Sequence, residues 1–370
     1  MWRKHYDEKE QKMTTYAESD LRQFCKKLLE GMGMIEEHAA VVAESLLRAN
    51  LEGVDSHGIS RLPIYAKRFS DQRINLNPTI QMEQKSPSVL VVNGDNGLGH
   101  VISYKAIKKG IEMAKQSGVT AVAIKNSNHF GTASYFCQLA CEQNLACIGF
   151  TNSPPGIAPW GGREAFFGTN PMAFGFPTGN DQPVIIDLST SIVARGKIIL
   201  AEKQGQTIPE GWAIDEKGEP TNDPKAALNG SVLPLGGAKG AALALAVEIL
   251  TGLLTGAAFG PHVKSIYEDE EEENANVGHF FILMDIKKFM NLNVFFDSIK
   301  NLLEEMKAVP KVPGNDEIRY PGERRKRERD KRQLEGVQLS QSVLEELQSL
   351  GSQFGVEFPV PLSSQQPING

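Results

Sequence analysis

The spacing of apolar residues along the chain changes period several times. Between Tyr16 and Asn50 they recur three and four apart (Leu21, Phe24, Leu28 and Leu29, then Ala40, Val41 and Leu46), which lines one face of a helix and predicts two helices ending near Gly53. "SVLVVNGDNGLGH" reads as a strand and a turn, and His100 to Gln116 as a helix closed by Gly118. Beyond it, "VTAVAIKNS", "LACIGFTNS", "AFFG", "PMAFGFP" and "PVIIDLS" are short strand candidates separated by Gly, Pro and Asn, with helices only at 132–143 and 192–204. Three of these candidates lie between Leu145 and Phe176 without an intervening helix. That is not the β-α-β succession of a doubly wound sheet, so a mixed, mostly antiparallel sheet is expected. "AIDEKGEPTNDP" predicts a hairpin, 279–286 a strand and 289–306 an amphipathic helix, and the chain from about 287 onward is helical and charged.

The longest apolar stretch, "AALALAVEILTGLLTGAAF" (241–259), approaches the length of a membrane span but carries Glu248 and many small residues, which favours a buried or subunit-interface helix. The N-terminal "MWRKHYDEKEQKMTTY" is charged and lacks a signal-peptide core, so a cytoplasmic protein is expected, starting at Met1 or Met13. With 41% hydrophobic and 23% charged residues the composition is that of a globular protein, and a net charge of −6 argues against nucleic acid or anionic lipid as partners. The runs at 268–273 ("EDEEEE") and 324–332 ("RRKRERDKR") read as solvated faces. The four cysteines, Cys25, Cys137, Cys141 and Cys147, form no CxxC pair and read as buried thiols, with no metal site expected.

Four clusters could carry chemistry. "DSHGISRLPIY" supplies Asp55, Ser56, His57, Arg61 and Tyr65 around Gly53 and Gly58, either as an exposed turn or as a cavity lip where the Arg61 fork meets a carboxylate. "NSNHFGTASYF" puts His129 at a strand-to-helix junction, as a core histidine or as a proton carrier beside free helix N-terminal amides. "VIIDLSTS" ends a strand with Asp187, which could cap the helix after Ser191 or pair with an imidazole. "LPLGGAKGAALALA" sets Lys239 among Gly236, Gly237 and Gly240, but it is not a GxxxxGK[ST] loop, and no GxGxxG occurs in the chain.

In this order, "DSHGISR", "NSNHFG", "TNSPPGIAPWGG", "GTNPMAFGFP", "IDLSTS", "LPLGGAKG", "NVGHFF" and "YPGE" resemble the malate/L-lactate dehydrogenase family over about residues 16–340. Relatives include type-2 malate dehydrogenase, L-sulfolactate dehydrogenase, ureidoglycolate dehydrogenase and the cyclic-imine reductases of piperideine-2-carboxylate. The resemblance implies an α/β protein with a non-Rossmann NAD(P)-binding domain at 86–286, a helical dimerisation domain built from 1–85 with 287–370, and a homodimer. It implies His129 as the proton-transfer residue, Arg61 (with Tyr65 beside it) as the substrate carboxylate anchor, and Ser56, His57 and Asp187 as a relay. The implied cofactor contacts are His129, Phe130, Gly131, Thr132, Ala133, Ser153, Asp187, Leu188, Ser189, Lys239, Asn274, Ala275, Asn276 and Gly322, holding NAD or NADP with NAD favoured. The implied reaction interconverts an L-2-hydroxy acid of malate or lactate type and its 2-oxo acid. The alternatives are the sulfolactate, ureidoglycolate and cyclic-imine reactions, and a nucleotide-binding sensor that has lost activity.

Overall fold

The structure, a computed structural model, describes residues 13–265 and 274–364, so Met1 and the whole of the acidic run at 268–273 lie outside the described residues. In chain order the elements are β1 (Met13–Tyr16), α1 (Glu18–Gly31), α2 (Glu36–Leu51), α3 (Leu62–Ser70), β2 (Gln81–Ser86), β3 (Val89–Asn93), α4 (Gly99–Ser117), β4 (Val119–Ser127), α5 (Ala133–Cys141), β5 (Leu145–Thr151), β6 (Met172–Phe176) and β7 (Val184–Leu188). They continue as α6 (Arg195–Lys203), β8 (Ala213–Ile214), β9 (Pro220–Thr221), α7 (Pro224–Asn229), β10 (Ser231–Val232), α8 (Ala238–Glu248), β11 (Val277–Asp285), α9 (Leu292–Ala308), α10 (Glu323–Glu335), β12 (Val337–Ser340) and α11 (Gln341–Gln353).

The chain divides into two units, Met1–Lys67 with Arg325–Gly370, and Arg68–Arg324. Segments 68–85 and 287–324, expected with the chain ends, go with the sheet instead. The reason is contact: β2 pairs antiparallel with β3, and Ile185 N donates to Pro321 O at 3.0 Å.

In the first unit, α1 and α2 bury Leu21, Leu28, Leu29, Leu46 and Leu47 completely, as their helical spacing requires. The two chain ends meet in a ribbon that the periodicity did not announce: β1 pairs antiparallel with β12, Met13 opposite Ser340 and Tyr16 opposite Val337. Four residues are too few to display a period.

The second unit is built on a seven-stranded sheet in the order β2-β3-β4-β11-β5-β6-β7. Only β3 and β4 run parallel, and the other neighbours are antiparallel, so the sheet is mixed and mostly antiparallel. β11, from late in the chain, inserts between β4 and β5. Following the pairings, the C-terminal ends of β3, β4, β5 and β7 and the starts of β11 and β6 fall along one sheet edge. A core including Val122, Ile124, Phe136, Leu145, Phe281 and Leu283 packs α4 and α5 onto the sheet. The candidate strand "AFFG" forms only an isolated bridge from Phe167 to Ile157, because the chain folds back on itself within ten residues.

α8 continues into a π-helical turn at Ile249–Leu253. Its small residues let it sit on the sheet's backbone, where a Cβ at Gly278 would lie 1.7 Å from Thr251 O. The helix is buried on one face only: Leu243, Leu245, Ile249, Leu253 and Leu254 are exposed. Among the described residues no helix is long and apolar enough to cross a membrane. All four cysteines are buried and free.

Candidate active site

The candidate side chains fall into two groups, one in each unit. In the first unit, 53–61 forms two short 3-10 turns, Asp55–His57 and Ile59–Arg61, leading into α3. Asn50, buried at the end of α2, holds them: its Nδ2 donates to Asp55 Oδ1 at 2.7 Å and its Oδ1 accepts from Ile59 N at 2.9 Å. Arg332 of α10 closes the far side, donating from Nη1 to Asp55 Oδ1 at 2.7 Å and to Asn50 O at 2.6 Å. Within this frame Ser56 Oγ lies 3.0 Å from His57 Nδ1. Arg61 Nε donates to Ser56 O at 2.5 Å, which fixes the plane of the guanidinium. Burial lowers the Arg61 pKa, partly offset by Tyr65, whose own hydroxyl burial pushes well above its ordinary range. The turn is therefore partly sunk into its unit and not a loose surface loop.

The frame depends on Gly58, where a Cβ would lie 2.1 Å from Asn50 Oδ1. We expect Gly58→Ala to displace Asn50, leaving a buried amide unpaired at a cost of roughly 1–3 kcal/mol. A chemical-denaturation midpoint equal to that of the parent protein would show that Asn50 does not hold this turn.

In the second unit the other candidates gather on the sheet edge where the strands end. β4 ends at Ser127, and the turn to α5 carries His129, Phe130, Gly131 (φ 80°) and Thr132. His129 is half-buried, and its Nδ1 accepts from Gly131 N at 3.4 Å. Asp187, near the end of β7, accepts from Ser134 N at 3.3 Å. It thus supports the start of α5, directly after the His129 turn, and not the helix after Ser191. Ser153, past the end of β5, accepts through Oγ from Thr169 N at 3.1 Å. Leu235 N donates to Thr190 O at 2.8 Å, which brings the "LPLGGAKG" segment and the exposed Lys239 beside the end of β7.

Asparagines fasten this edge. Asn276, just before β11, accepts through Oδ1 from Asn126 N at 2.9 Å, and Asn96 Nδ2 donates to Asn274 Oδ1 at 3.0 Å. Buried Asn128 donates to Gly97 O at 2.9 Å. Asn96, Asn126 and Asn276 all adopt positive φ, a conformation asparagine tolerates better than most residues. Ala275 is buried against Val263 and Val277. Gly322 (φ 109°) stands apart from this gathering, packed against Pro183 O and Ile185 N at the start of β7.

One residue had no assigned role in the sequence. His279, fully buried on β11, spans the edge: Nε2 meets Ser127 Oγ at 2.8 Å, Nδ1 meets Thr151 Oγ1 at 2.7 Å, and the ring stacks on Phe130 at 4.5 Å. The available signal was a lone histidine in an apolar strand run, which requires partners for both ring nitrogens. Burial depresses its pKa to about 3. The unfolded chain, with an ordinary imidazole near 6.5, takes up a proton that the folded chain refuses, so stability falls as pH drops from 6.5 toward 3, by up to about 1.4 kcal/mol per pH unit. Denaturation midpoints at pH 7 and pH 4.5 check this, since His279→Gln should lose less on acidification than the parent protein. Equal losses would clear His279.

The edge offers hydroxyls (Ser153, Ser189), a carboxylate (Asp187), an ammonium (Lys239) and the N-terminus of α5, a donor and acceptor set that suits the ribose and phosphate groups of a dinucleotide. A family model for malate/L-lactate dehydrogenase matches residues 16–348. The chain belongs to the malate/L-lactate dehydrogenase family. Among curated members, the malate/(S)-sulfolactate dehydrogenase of Methanothermus fervidus is 38% identical over 331 residues, covering 90% of this chain and 95% of that protein. The ureidoglycolate dehydrogenase (NAD(+)) of Escherichia coli is 33% identical over 327 residues, covering 88% and 93%. The crystal structure of malate dehydrogenase from Entamoeba histolytica superposes with a TM-score of 0.90 at 31% identity, covering 94% of this chain and all of that one. As a member of the malate/L-lactate dehydrogenase family the protein is an oxidoreductase acting on CH–OH groups.

Proposed function

We propose that the protein interconverts an L-2-hydroxy acid of malate or lactate type and its 2-oxo acid, using NAD(P) with NAD favoured, in a nucleotide-binding domain outside the Rossmann class. The observation that carries this reading is the gathering of the β4, β5 and β7 ends on one edge, which sets His129 among groups suited to a dinucleotide. Ser153, Asp187 to Ser189 and Lys239 would hold the cofactor, with His129 to Ala133 and Asn274 to Asn276 lining it. Gly322, beside the start of β7, is the implied contact with the least support. When bound, the nicotinamide ring gives or takes the hydride.

The chain's own residues do the rest. His129 gives a proton to the carbonyl oxygen during reduction and takes it from the hydroxyl during oxidation, a task suited to a group titrating near neutrality. Arg61 binds the substrate carboxylate in a fork of charge-assisted hydrogen bonds, with Tyr65 beside it, and so fixes the carbon that reacts. Ser56, His57 and Asp187 form the proposed proton relay, of which the Ser56–His57 contact at 3.0 Å is one step. The exposed apolar residues on α8 and its π turn suit a subunit contact, and we read the protein as a cytoplasmic homodimer.

The deciding experiment assays purified protein with pyruvate, oxaloacetate, sulfopyruvate and piperideine-2-carboxylate against NADH and NADPH. Turnover of a 2-oxo acid is the expected result. Turnover of the cyclic imine alone would replace this reading with the imine reductase, and cofactor binding without turnover of any substrate would replace it with the sensor.

A further inference from the structure

We propose that Glu248 is a positioning residue for cofactor binding: from inside the second unit, its carboxylate holds the segments that carry Ser153 and Ser189. The inference rests on the reading of those two serines as cofactor contacts given above, and adds a residue outside the motifs of the resemblance.

Glu248 is the lone carboxylate of the apolar run 241–259 and the last residue of α8, and only 3% of it is exposed. A carboxylate in such surroundings is costly unless its oxygens are hydrogen-bonded. Both are. Oε2 accepts from Asn170 Nδ2 at 2.6 Å, and Oε1 accepts from Gly260 N at 2.8 Å and, more weakly, from Asn152 Nδ2 at 3.4 Å. All three donors are neutral amides, so the group is held by oriented dipoles that also fix where those amides stand.

The donors lead to the strand ends. Asn152 directly precedes Ser153; its Oδ1 accepts from Gly278 N at 2.9 Å, and its Nδ2 also donates to Ala258 O at 2.8 Å. Asn170, fully buried before β6, has a left-handed backbone (φ 32°), and its Nδ2 also donates to Ala244 O at 3.1 Å. Both partners of that nitrogen are acceptors, which decides the way the amide faces. Thr169, the residue before it, donates from N to Ser153 Oγ at 3.1 Å and accepts at O from Thr190 N at 2.9 Å and Thr190 Oγ1 at 3.0 Å. Two routes therefore run from Glu248 to Ser153, one through Asn152 and one through Asn170 and Thr169, and the second also reaches Thr190, the neighbour of Ser189. The packing has no slack: a Cβ at Gly168 would lie 2.3 Å from Ser153 Oγ and 2.6 Å from Asn170 Oδ1. A shift of Asn170 is thus passed on to Ser153.

Glu248→Gln keeps the volume but turns one oxygen into an amide that faces donors. Full-length wild type and variant are titrated with NADH and with NADPH by cofactor fluorescence, and kcat and the KM for a 2-oxo acid are measured at saturating cofactor. The expected result is a cofactor Kd raised about tenfold, the scale of one lost hydrogen bond to a charged group, with kcat and substrate KM within about threefold of wild type. Asn170→Gly, which suits the left-handed backbone and deletes the donor to Glu248, should also raise Kd, and the double variant should bind no more weakly than Glu248→Gln alone, because both cut the same route. Where no 2-oxo acid reacts, the cofactor titration still decides, with the melting midpoint by circular dichroism as the structural control. A Kd within about twofold of wild type in both single variants overturns the assignment. So does a parallel loss of cofactor affinity, kcat and melting midpoint, or failure of both variants to fold, since either makes Glu248 a structural residue only. Wild type that binds neither NADH nor NADPH overturns the cofactor reading together with this one, whereas binding wild type with unchanged variants overturns this one alone.

Discussion

Replacing His129 by alanine should lower kcat by about two to four orders of magnitude, the usual worth of a positioned acid or base, while NADH still binds within a few-fold of its normal affinity. The separation follows from geometry. The turn that carries His129 is held by others: Asn128 donates to Gly97 O, Asp187 accepts from Ser134 N, and Phe130 stacks on the fully buried His279. Removing the imidazole leaves that scaffold in place and removes only the group proposed to move the proton. Single-turnover kinetics with fluorescence titration of NADH measure both quantities, and near-normal turnover would take His129 out of the mechanism.

Arg61→Lys should raise KM for 2-oxo acids by about ten- to a hundredfold with a smaller change in kcat. Lysine keeps the charge but has no planar fork, and a hydrogen bond to a charged partner is worth about 1.5–3 kcal/mol, which sets the size of the effect. Arg61 also donates from Nε to the Ser56 carbonyl, a bond that an ammonium on an unbranched stem cannot make while facing a carboxylate squarely. A substrate amide, lacking the carboxylate, should be handled equally by both proteins. An unchanged KM for the acid would remove Arg61 as the carboxylate anchor.

The residues nominated for chemistry lay in short, contiguous motifs with turn-forming neighbours, so their types and local settings could be read directly. Their partners could not. Read locally, Asp187 suits either a cap for the helix after Ser191 or an imidazole partner, and in the fold it accepts from Ser134 N at the start of α5, 53 residues upstream. The expected strand at "AFFG" failed because the dihedral preferences that make aromatic residues good in strands do not supply a neighbouring strand. The helix of 241–259 was expected to be buried or at an interface, and tertiary packing buried the Ala/Gly face and left the leucines out.

The sequence by itself determined what depends on near neighbours: helices α1, α2, α4 and α9 from a 3.6-residue period, strands β4, β5, β7 and β11 from apolar runs between turn residues, and the family from motifs in order. Only the tertiary structure decided what depends on distant segments. It put β11 between β4 and β5, tied β1 to β12 across some 320 residues, gave His279 its two hydroxyl partners, and brought the strand ends to a shared edge. The physical reason is that backbone dihedral preference and side-chain period are local quantities, while pairing and burial are set by which segments exclude water together.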